Sequence, residues 1–304
     1  MSPREPERIL QRLDWTVVRR LDGLLQGDYR TLFYGHGLDL ADIREYEVGD
    51  DIRYIDWNVT ARMNRAHVRR YLEEREITAW FLLDLSPSVD FGTARTLKRS
   101  LLIDLVGVLA RLLTRHGNRV GAIVYGSRVE RTVPPRGGRV QVLRLLHELT
   151  RQPRLRRAPF TSLAELLRAA LGTLRRRSLV FIVSDFISSP GWERPLGVLA
   201  QRHDIIAARL IDPREREFPD IGPVVLEDAE TGEQLYVETQ DRAFRQRFAA
   251  AAERRERELQ AVFRQTGVDV LSLSTDGDLV RSIVRFAARR KLRQGRRRAG
   301  AAAG

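Results

Sequence analysis

Residues 77–88 of the chain read ITAWFLLDLSPS, an uninterrupted apolar run that ends in an aspartate and small polar residues. The run at 79–83 has the length and composition of a strand that is buried on both faces. From about Gly92 to His116 the apolar residues recur with helical spacing, and a glycine follows at the helix end. A buried strand followed by an amphipathic helix is the first half of a βαβ unit, so this stretch predicts a parallel sheet.

The same alternation of apolar runs and helix-period segments continues towards the C-terminus. Further strands are predicted at 119–125, 179–183, 205–210 and 268–273, with a short strand at 130–133. Helix-period segments separate most of these runs. We therefore predict an α/β fold with a mostly parallel sheet and helices on both faces.

Other regions depart from this alternation. Residues 1–75 begin with a helix-period segment and continue as turn-rich sequence with short strand-like pieces. Within an α/β domain of residues 76–288, the segment 214–240 has the pattern of a β-hairpin insertion. We expect this hairpin and the strand-like pieces of residues 1–75 to pair into a small β-rich subdomain. Residues 289–304 are rich in Arg, Ala and Gly, and we expect them to form a disordered basic tail.

The composition excludes several classes of protein. The chain has no cysteine, which rules out disulfides, thiolate metal sites and a cysteine nucleophile. The histidines are never at metal-ligand spacing from one another, so zinc and haem sites are not expected. No apolar run approaches the roughly 20 residues of a membrane span, and the charged N-terminus lacks the apolar core of a signal peptide. We expect a soluble, cytoplasmic protein.

The formal net charge of +13 raises the question of nucleic-acid binding. Many of the basic residues lie in the tail at 289–298, and arginine replaces lysine almost everywhere else in the chain. A general bias towards arginine explains this distribution better than a binding patch does. Nucleic-acid binding through the tail remains an alternative hypothesis, which salt dependence would test.

Acidic and hydroxyl side chains follow the predicted strands at one edge of the sheet. Asp84, Ser86 and Ser88 form a D-x-S-x-S pattern directly after the first strand, and Asp185 follows the strand at 179–183. Thr161 lies at the start of a predicted helix that leads back to that strand. Because the carboxyl ends of parallel strands share one edge, we expect these side chains to converge. Oxygen ligands of this kind suit Mg²⁺ or Mn²⁺ and predict binding rather than turnover.

Each of these residues also has a simpler interpretation. Ser88 or Asp90 could cap the following helix, Thr161 could belong to a helix cap, and Asp185 could begin a turn. The joint placement of all of them on one sheet edge favours the metal site over separate caps.

The strand, the D-x-S-x-S loop, Thr161 and Ser184-Asp185 together resemble the metal-ion-dependent adhesion site (MIDAS) of von Willebrand factor A domains. The run REYEVGDDIRYIDW at 44–57 is similar to the signature of one bacterial family with that fold, domain of unknown function family 58 (DUF58). The resemblance covers roughly residues 25–275. It departs from the family pattern at Pro159-Phe160 before Thr161, where such sites often have glycine.

The resemblance implies a von Willebrand factor A-like fold and a role for each site residue. Asp84, Ser86 and Ser88 would be direct or water-bridged metal ligands, Thr161 a hydroxyl ligand from a second loop, and Asp185 an outer-sphere carboxylate. It also implies a partner, because family members commonly accompany MoxR-type AAA+ ATPases, and hence an adaptor role without catalysis.

An enzymatic alternative is a metal-dependent phosphohydrolase. The start of the D-x-S pattern is similar to the phosphatase loop of haloacid dehalogenases, but Ser86 replaces the second aspartate that would act as acid and base. The chain also lacks the glycine-rich P-loop signature, so it is not expected to be a P-loop ATPase itself.

Overall fold

The computed structural model of the chain describes the backbone of most of the sequence. The described residues are 5–25, 42–47, 50, 52, 55–70, 77–155 and 160–301. Part of the 44–57 signature and Pro159, both used in the sequence analysis, lie outside these residues.

The strands are short and regular, and most of them belong to one sheet. In chain order the strands of the described residues are β1 Asp42–Glu45, β2 His67–Arg70, β3 Thr78–Asp84, β4 Arg119–Tyr125, β5 Val129–Arg136, β6 Leu179–Ser184, β7 Asp204–Ile211, β8 Pro223–Glu227, β9 Gln234–Glu238 and β10 Asp269–Ser274. The main sheet has the order β10-β7-β6-β3-β4-β5 within this part of the chain. All neighbouring strands of this sheet are parallel except β4 and β5, which are antiparallel.

Helices lie on both faces of the main sheet. In chain order the α-helices of the described residues are α1 Glu5–Leu13, α2 Arg19–Leu25, α3 Trp57–Met63, α4 Lys98–Arg115, α5 Gly138–Arg151, α6 Leu163–Thr173, α7 Glu193–Arg202, α8 Arg242–Thr266 and α9 Leu279–Ala301. The core on one face contains side chains of α1, α2, α4, α5 and α9, and the core on the other contains side chains of α6, α7 and α8. The predicted α/β class, with helices on both faces of a mostly parallel sheet, is therefore confirmed.

The central strand β3 shows why the apolar run at 79–83 has no polar alternation. Phe81 and Leu83 point into one core, whereas Trp80 and Leu82 point into the other. The ring of Phe81 stacks on that of Phe181 in the neighbouring strand β6, with centroids 5.2 Å apart. Since both faces of β3 are buried, the positions 79–83 of the strand are all apolar.

The smaller strands form separate pairs rather than one subdomain. β1 pairs antiparallel with β2, and β8 pairs antiparallel with β9. Our expectation that the 214–240 hairpin pairs with strand-like pieces of residues 1–75 is thus wrong for the described residues. Each strand pairs instead with its neighbour along the chain, in an antiparallel ladder within its own region.

The last helix corrects the expectation of a disordered tail at 289–304. Helix α9 continues through this segment to Ala301, and residues 302–304 lie outside the described part of the chain. Arg290 is buried and pairs with Asp204 and Asp269, and Arg293 pairs with Asp269 at 2.7 Å. These ion pairs therefore fix the helix to the amino ends of β7 and β10.

The helices were also compared with the requirements of a membrane span. No described helix combines the length and the apolar character that a bilayer crossing requires.

Candidate metal centre

The candidate site lies between β3 and β6, at their carboxyl ends. Numbered along the chain within the main sheet, the strand order of the described residues is 3-2-1-4-5-6, so the direction of winding reverses between β3 and β6. In doubly wound sheets the helices diverge at such a switch point and leave a crevice for ligands. Asp84 ends β3, Ser184 ends β6 and Asp185 follows it directly, so the fold brings them to this crevice.

Asp84 is the most deeply buried acid of the site. Its side chain has no solvent exposure, and its Oδ2 accepts a hydrogen bond from Ser184 Oγ at 2.6 Å. Its Oδ1 accepts the backbone N–H of Ser86 at 3.0 Å. Among the residues that the structure describes, no basic side chain lies within ion-pair distance of this carboxylate.

The pKa of Asp84 reflects this uncompensated burial. Burial raises the pKa to about 6, and the neighbouring charge of Asp185 raises it in the same direction. Hydrogen bonds from Ser184 and Ser86 lower it but do not outweigh the burial. Leu83 pairs with Val183 in the parallel register of β3 and β6, so Asp84 and Asp185 follow these strands at the same edge of the sheet.

The serines of the D-x-S-x-S loop face each other. Their hydroxyl oxygens, Ser86 Oγ and Ser88 Oγ, lie 3.1 Å apart, with Ser86 directly before a short 3-10 helix at Pro87–Asp90 and Ser88 within it. Neither Ser88 nor Asp90 caps the following α-helix, because α4 begins at Lys98 after Leu97. The capping interpretation of this loop is therefore wrong, and both hydroxyls are directed towards each other at the sheet edge.

Asp185 is held by a buried lysine that sequence reasoning missed. The Nζ of Lys98, at the first position of α4, donates to Asp185 Oδ2 at 2.9 Å and to the Ser88 carbonyl at 3.3 Å. It also pairs with Glu215. The other oxygen of Asp185 accepts the Ile187 N–H at 2.9 Å, so Asp185 begins a turn and lies at the site as well.

Lys98 remains a cation in spite of its burial. Burial lowers the pKa of its ammonium group, but the charges of Asp185 and Glu215 outweigh that effect and raise the pKa above its ordinary value. One signal in the sequence could have pointed to it: Lys98 and Lys291 are the two lysines of an arginine-dominated chain. A lysine provides a compact charge where the wider guanidinium of arginine requires more space.

Thr161 lies on the same edge of the sheet, but its side chain contacts Glu230 and not the D-x-S-x-S loop with which we expected it to converge. Its backbone N–H donates to Glu230 Oε2 at 2.9 Å, and its hydroxyl donates to Glu230 Oε1. Its carbonyl accepts the Ser189 N–H at 2.9 Å and the Ser188 hydroxyl at 3.0 Å, which fixes it to the loop after β6. Within the described residues, no hydrogen bond joins Thr161 to the D-x-S-x-S loop.

The side chain of Thr161 therefore does not act as a helix cap. Helix α6 begins after Ser162, whose own side chain makes no capping hydrogen bond. Glu230 comes from the turn between β8 and β9, a contact that no local pattern in the sequence indicated.

The donor set fits a hard divalent cation that relies on hydroxyl ligands. In the described part of the chain, no three Asp, Glu or His side chains are grouped so that they alone could bind a metal ion. The available donors are instead carboxylate and hydroxyl oxygens, which Mg²⁺ prefers in combination with water. Buried carboxylates also outnumber the ammonium of Lys98, so a further positive charge would lower the electrostatic free energy of this edge.

Comparison with known families gives a match over most of the chain. The family described as "Protein of unknown function DUF58" matches residues 42–258, which include every residue of the candidate centre. The "Uncharacterized protein Rv1480" of Mycobacterium tuberculosis is 38% identical over 282 residues, covering 93% of this chain and 89% of that protein. The "Uncharacterized protein MAV169" of Mycobacterium avium is 40% identical over 159 residues, covering 52% of this chain and 94% of that protein.

Solved structures with a similar arrangement have low sequence identity. The conserved hypothetical protein BatB from Bacteroides thetaiotaomicron has a TM-score of 0.46 and 11% identity, covering 71% of this chain and 98% of that one. The SpRpn10 VWA domain has a TM-score of 0.37 and 13% identity, covering 69% of this chain and 94% of that one.

Proposed function

The chain belongs to the DUF58 family, and from this premise we propose that it is a non-catalytic, Mg²⁺-dependent protein-interaction module. We further propose that its partner is a MoxR-type AAA+ ATPase, for which it acts as an adaptor. The family match supports the interaction module only because it covers most of the α/β fold and all residues of the candidate site. The site itself supplies the argument for the ion.

Asp84, Ser86, Ser88 and Thr161 would hold the ion, and Asp185 would bind its water ligands. The bound cation would supply an electrophilic position that accepts a carboxylate from another protein. The residues around it have two tasks in this proposal. Ser184 and the loop backbone orient Asp84, and Lys98 orients Asp185.

The burial of Asp84 without a basic partner is the observation that carries the proposal. A carboxylate taken out of water costs several kcal/mol unless a cation or hydrogen bonds compensate it. The hydrogen bonds of Asp84 do not suffice, because its pKa remains raised to about 6. A divalent cation between Asp84 and the serine hydroxyls would provide the missing charge.

Thermal unfolding with and without Mg²⁺ tests the metal site. We expect 10 mM MgCl₂, against EDTA, to raise the Tm of the parent chain by several degrees, because a ligand that binds the native state stabilises it. Asp84→Asn, which keeps the shape of the side chain, should abolish the shift. Asp104→Asn is the matched control, since it removes a carboxylate of α4 that pairs with Arg12 of α1. An equal shift in the Asp84→Asn protein contradicts the proposed site.

A pull-down with a MoxR-type ATPase tests the partner. The parent chain should retain the ATPase in Mg²⁺ and release it in EDTA, whereas Asp84→Asn should fail to retain it in both. Retention that survives chelation and the Asp84→Asn change would show that the ion has no part in the interaction. Equal absence of binding in every sample would contradict the choice of partner.

A further inference from the structure

The turn between β8 and β9 places one acidic side chain against the candidate site. This hairpin projects from the main sheet, and much of its surface is exposed, including Leu235 and Tyr236. Glu230 at its tip is an exception, because it is 7% exposed. A buried carboxylate at the tip of an exposed hairpin requires a specific partner.

That partner is Thr161, a proposed ligand of the ion. Both carboxylate oxygens of Glu230 are used: Oε2 accepts the Thr161 N–H at 2.9 Å and Oε1 accepts the Thr161 hydroxyl. Among the described residues, no arginine or lysine pairs with Glu230. The carboxylate is thus bound by neutral donors of a residue that we propose as a ligand of the ion.

The hairpin is built to present this side chain. Asp228 Oδ1 accepts the N–H groups of Glu230 at 2.9 Å and of Thr231 at 2.7 Å, and Gly232 has a φ of 73°. At the base, the buried hydroxyl of Thr239 donates to the Gly222 carbonyl at 2.6 Å. The turn and the base thus have hydrogen bonds of their own, and Glu230 joins the tip to Thr161.

Glu230 also lies within electrostatic reach of the other site residues. Burial raises the pKa of Tyr125 at the end of β4, a hydrogen bond from Ser162 lowers it, and the charges of Glu165, Asp84 and Glu230 raise it further. Asp84 and Glu230 thus act on the same phenol. Ser162, which follows Thr161, donates its N–H to Tyr125 Oη at 3.0 Å, so the segment that Glu230 contacts lies at the carboxyl edge of the sheet.

We infer that Glu230 is an internal ligand that occupies the carboxylate position of the site, so that an acidic partner must displace the hairpin to bind. This inference rests on the proposed function and specifies the partner's contact as a glutamate or aspartate presented on a tight turn. The tethered carboxylate has an effective concentration in the millimolar range, so it weakens competing carboxylates without excluding them.

Hydrogen exchange of the hairpin tests the internal contact. We expect Glu230→Ala to increase amide exchange at 223–238 at least tenfold, because a detached two-stranded hairpin is marginally stable in water. Thr161→Val, which removes the hydroxyl donor and keeps the side-chain shape, should increase exchange in the same segment. Glu233→Ala, an exposed glutamate of the same tip, is the control and should leave exchange unchanged. Unchanged exchange in both test variants would overturn the inference.

A peptide copy of the tip tests the displacement. The probe is a backbone-cyclised peptide of residues 226–235, whose ends are the paired residues Leu226 and Leu235. In Mg²⁺ it should bind the Glu230→Ala protein at least tenfold more tightly than the parent chain. The same peptide with the change Glu230→Gln should lose that binding. Equal binding to both proteins, or to neither, contradicts the inference.

The metal site and the internal ligand are tested by different measurements. Exchange at 223–238 is measured in EDTA, so it reports the Glu230–Thr161 contact without the ion. A Tm that does not respond to Mg²⁺ would reject the metal site and leave the hairpin contact in place. A normal Mg²⁺ response with unchanged exchange would reject the internal ligand alone.

Discussion

Each end of the parallel sheet buries one basic side chain between two carboxylates. At the carboxyl end, Lys98 pairs with Asp185 and Glu215, and at the amino end Arg290 pairs with Asp204 and Asp269. Both cations are fully enclosed, with 0% and 1% of their side chains exposed. The two clusters therefore incur a similar desolvation cost.

The clusters differ in how far their charges balance. At the amino end, Arg293 adds a second cation at 2.7 Å from Asp269, so two arginines face two aspartates in the described residues. At the carboxyl end, Asp84 adds a further carboxylate that has no cationic partner in the part of the chain described. The balanced cluster fixes α9 to the sheet. The unbalanced one is suited to receive an additional cation.

The largest expected effect comes from removing either buried cation. Lys98→Met and Arg290→Met should each lower the free energy of unfolding by about 3–5 kcal/mol, because each leaves buried carboxylates uncompensated. Urea unfolding at pH 7 in EDTA measures both losses. The exposed pair of Arg257 and Glu253 supplies a control, since Arg257→Met should cost less than about 1 kcal/mol.

A second substitution distinguishes the two ends. Asp84→Asn should reduce the loss caused by Lys98→Met by about 1–2 kcal/mol, because it removes a negative charge from the same cluster. It should leave the loss caused by Arg290→Met unchanged. If Asp84→Asn changes the losses caused by Lys98→Met and Arg290→Met equally, the carboxyl end of the sheet has no excess of negative charge over the amino end.

The next largest effect is a dependence of stability on pH. Asp84 has a pKa of about 6 in the folded chain against an ordinary value of 3.8. Because the folded state binds its proton more tightly, the free energy of unfolding should fall by about 3 kcal/mol as pH rises from about 4 to about 6. Above about pH 6 the free energy of unfolding should remain at this lower value. Urea unfolding of the metal-free parent and Asp84→Asn proteins across this range isolates the contribution of Asp84.

Mg²⁺ should change the contribution that Asp84 makes to the free energy of unfolding. Above pH 6 the ion should restore much of the lost stability in the parent chain, and below pH 5 protons should compete with it. The Arg290 cluster has no part in this response. A Mg²⁺ effect of equal size at pH 5 and pH 8 would show that the ion binds elsewhere.

The sequence alone predicted those parts of the fold and of the site that follow from the order of the strands along the chain. The apolar run at 79–83 predicted a central strand, and parallel pairing then required Asp84 and Asp185 to lie at one edge, as they do. The partners Lys98 and Glu215 were not predictable, because they are 117 residues apart and meet only through tertiary packing. The same holds for Thr161 and Glu230, which are separated by 69 residues.

One local prediction failed, and the capping alternative at Ser88 and Thr161 was also wrong. Residues 289–304 have the low complexity of a disordered segment, but Ala and Arg also favour helices, and burial of Arg290 stabilises α9. Likewise, Ser88 and Thr161 have the side chains of helix caps but use them elsewhere. For Arg290 and Thr161 a tertiary contact outweighed a local preference, whereas Ser88 contacts Ser86 of its own loop.

The smallest expected effect concerns Asp212, a carboxylate at the carboxyl edge of the sheet whose hydrogen bonds already compensate its charge. Asp212, after β7, is buried like Asp84, but it accepts hydrogen bonds from the Thr275 hydroxyl at 2.6 Å and from the Thr93 N–H at 2.8 Å. Burial raises its pKa, and these bonds outweigh burial and hold the pKa below its ordinary value. Asp212 thus stabilises the fold above about pH 4, and this stabilisation is lost as pH falls through the lowered pKa.

Thr275→Val removes one of these donors and keeps the side-chain shape. The free energy of unfolding should fall by about 1–2 kcal/mol at pH 7, because one hydrogen bond to a buried charge is lost. The loss should shrink as pH falls through the lowered pKa of Asp212, because its carboxylate then binds a proton, and Mg²⁺ should not change it. A loss of the same size above and below that pKa would mean that the hydroxyl contributes through packing and not through the charge of Asp212. A loss that Mg²⁺ restores would instead place Asp212 in the cation site and remove the distinction between a satisfied and an unsatisfied acid on this edge.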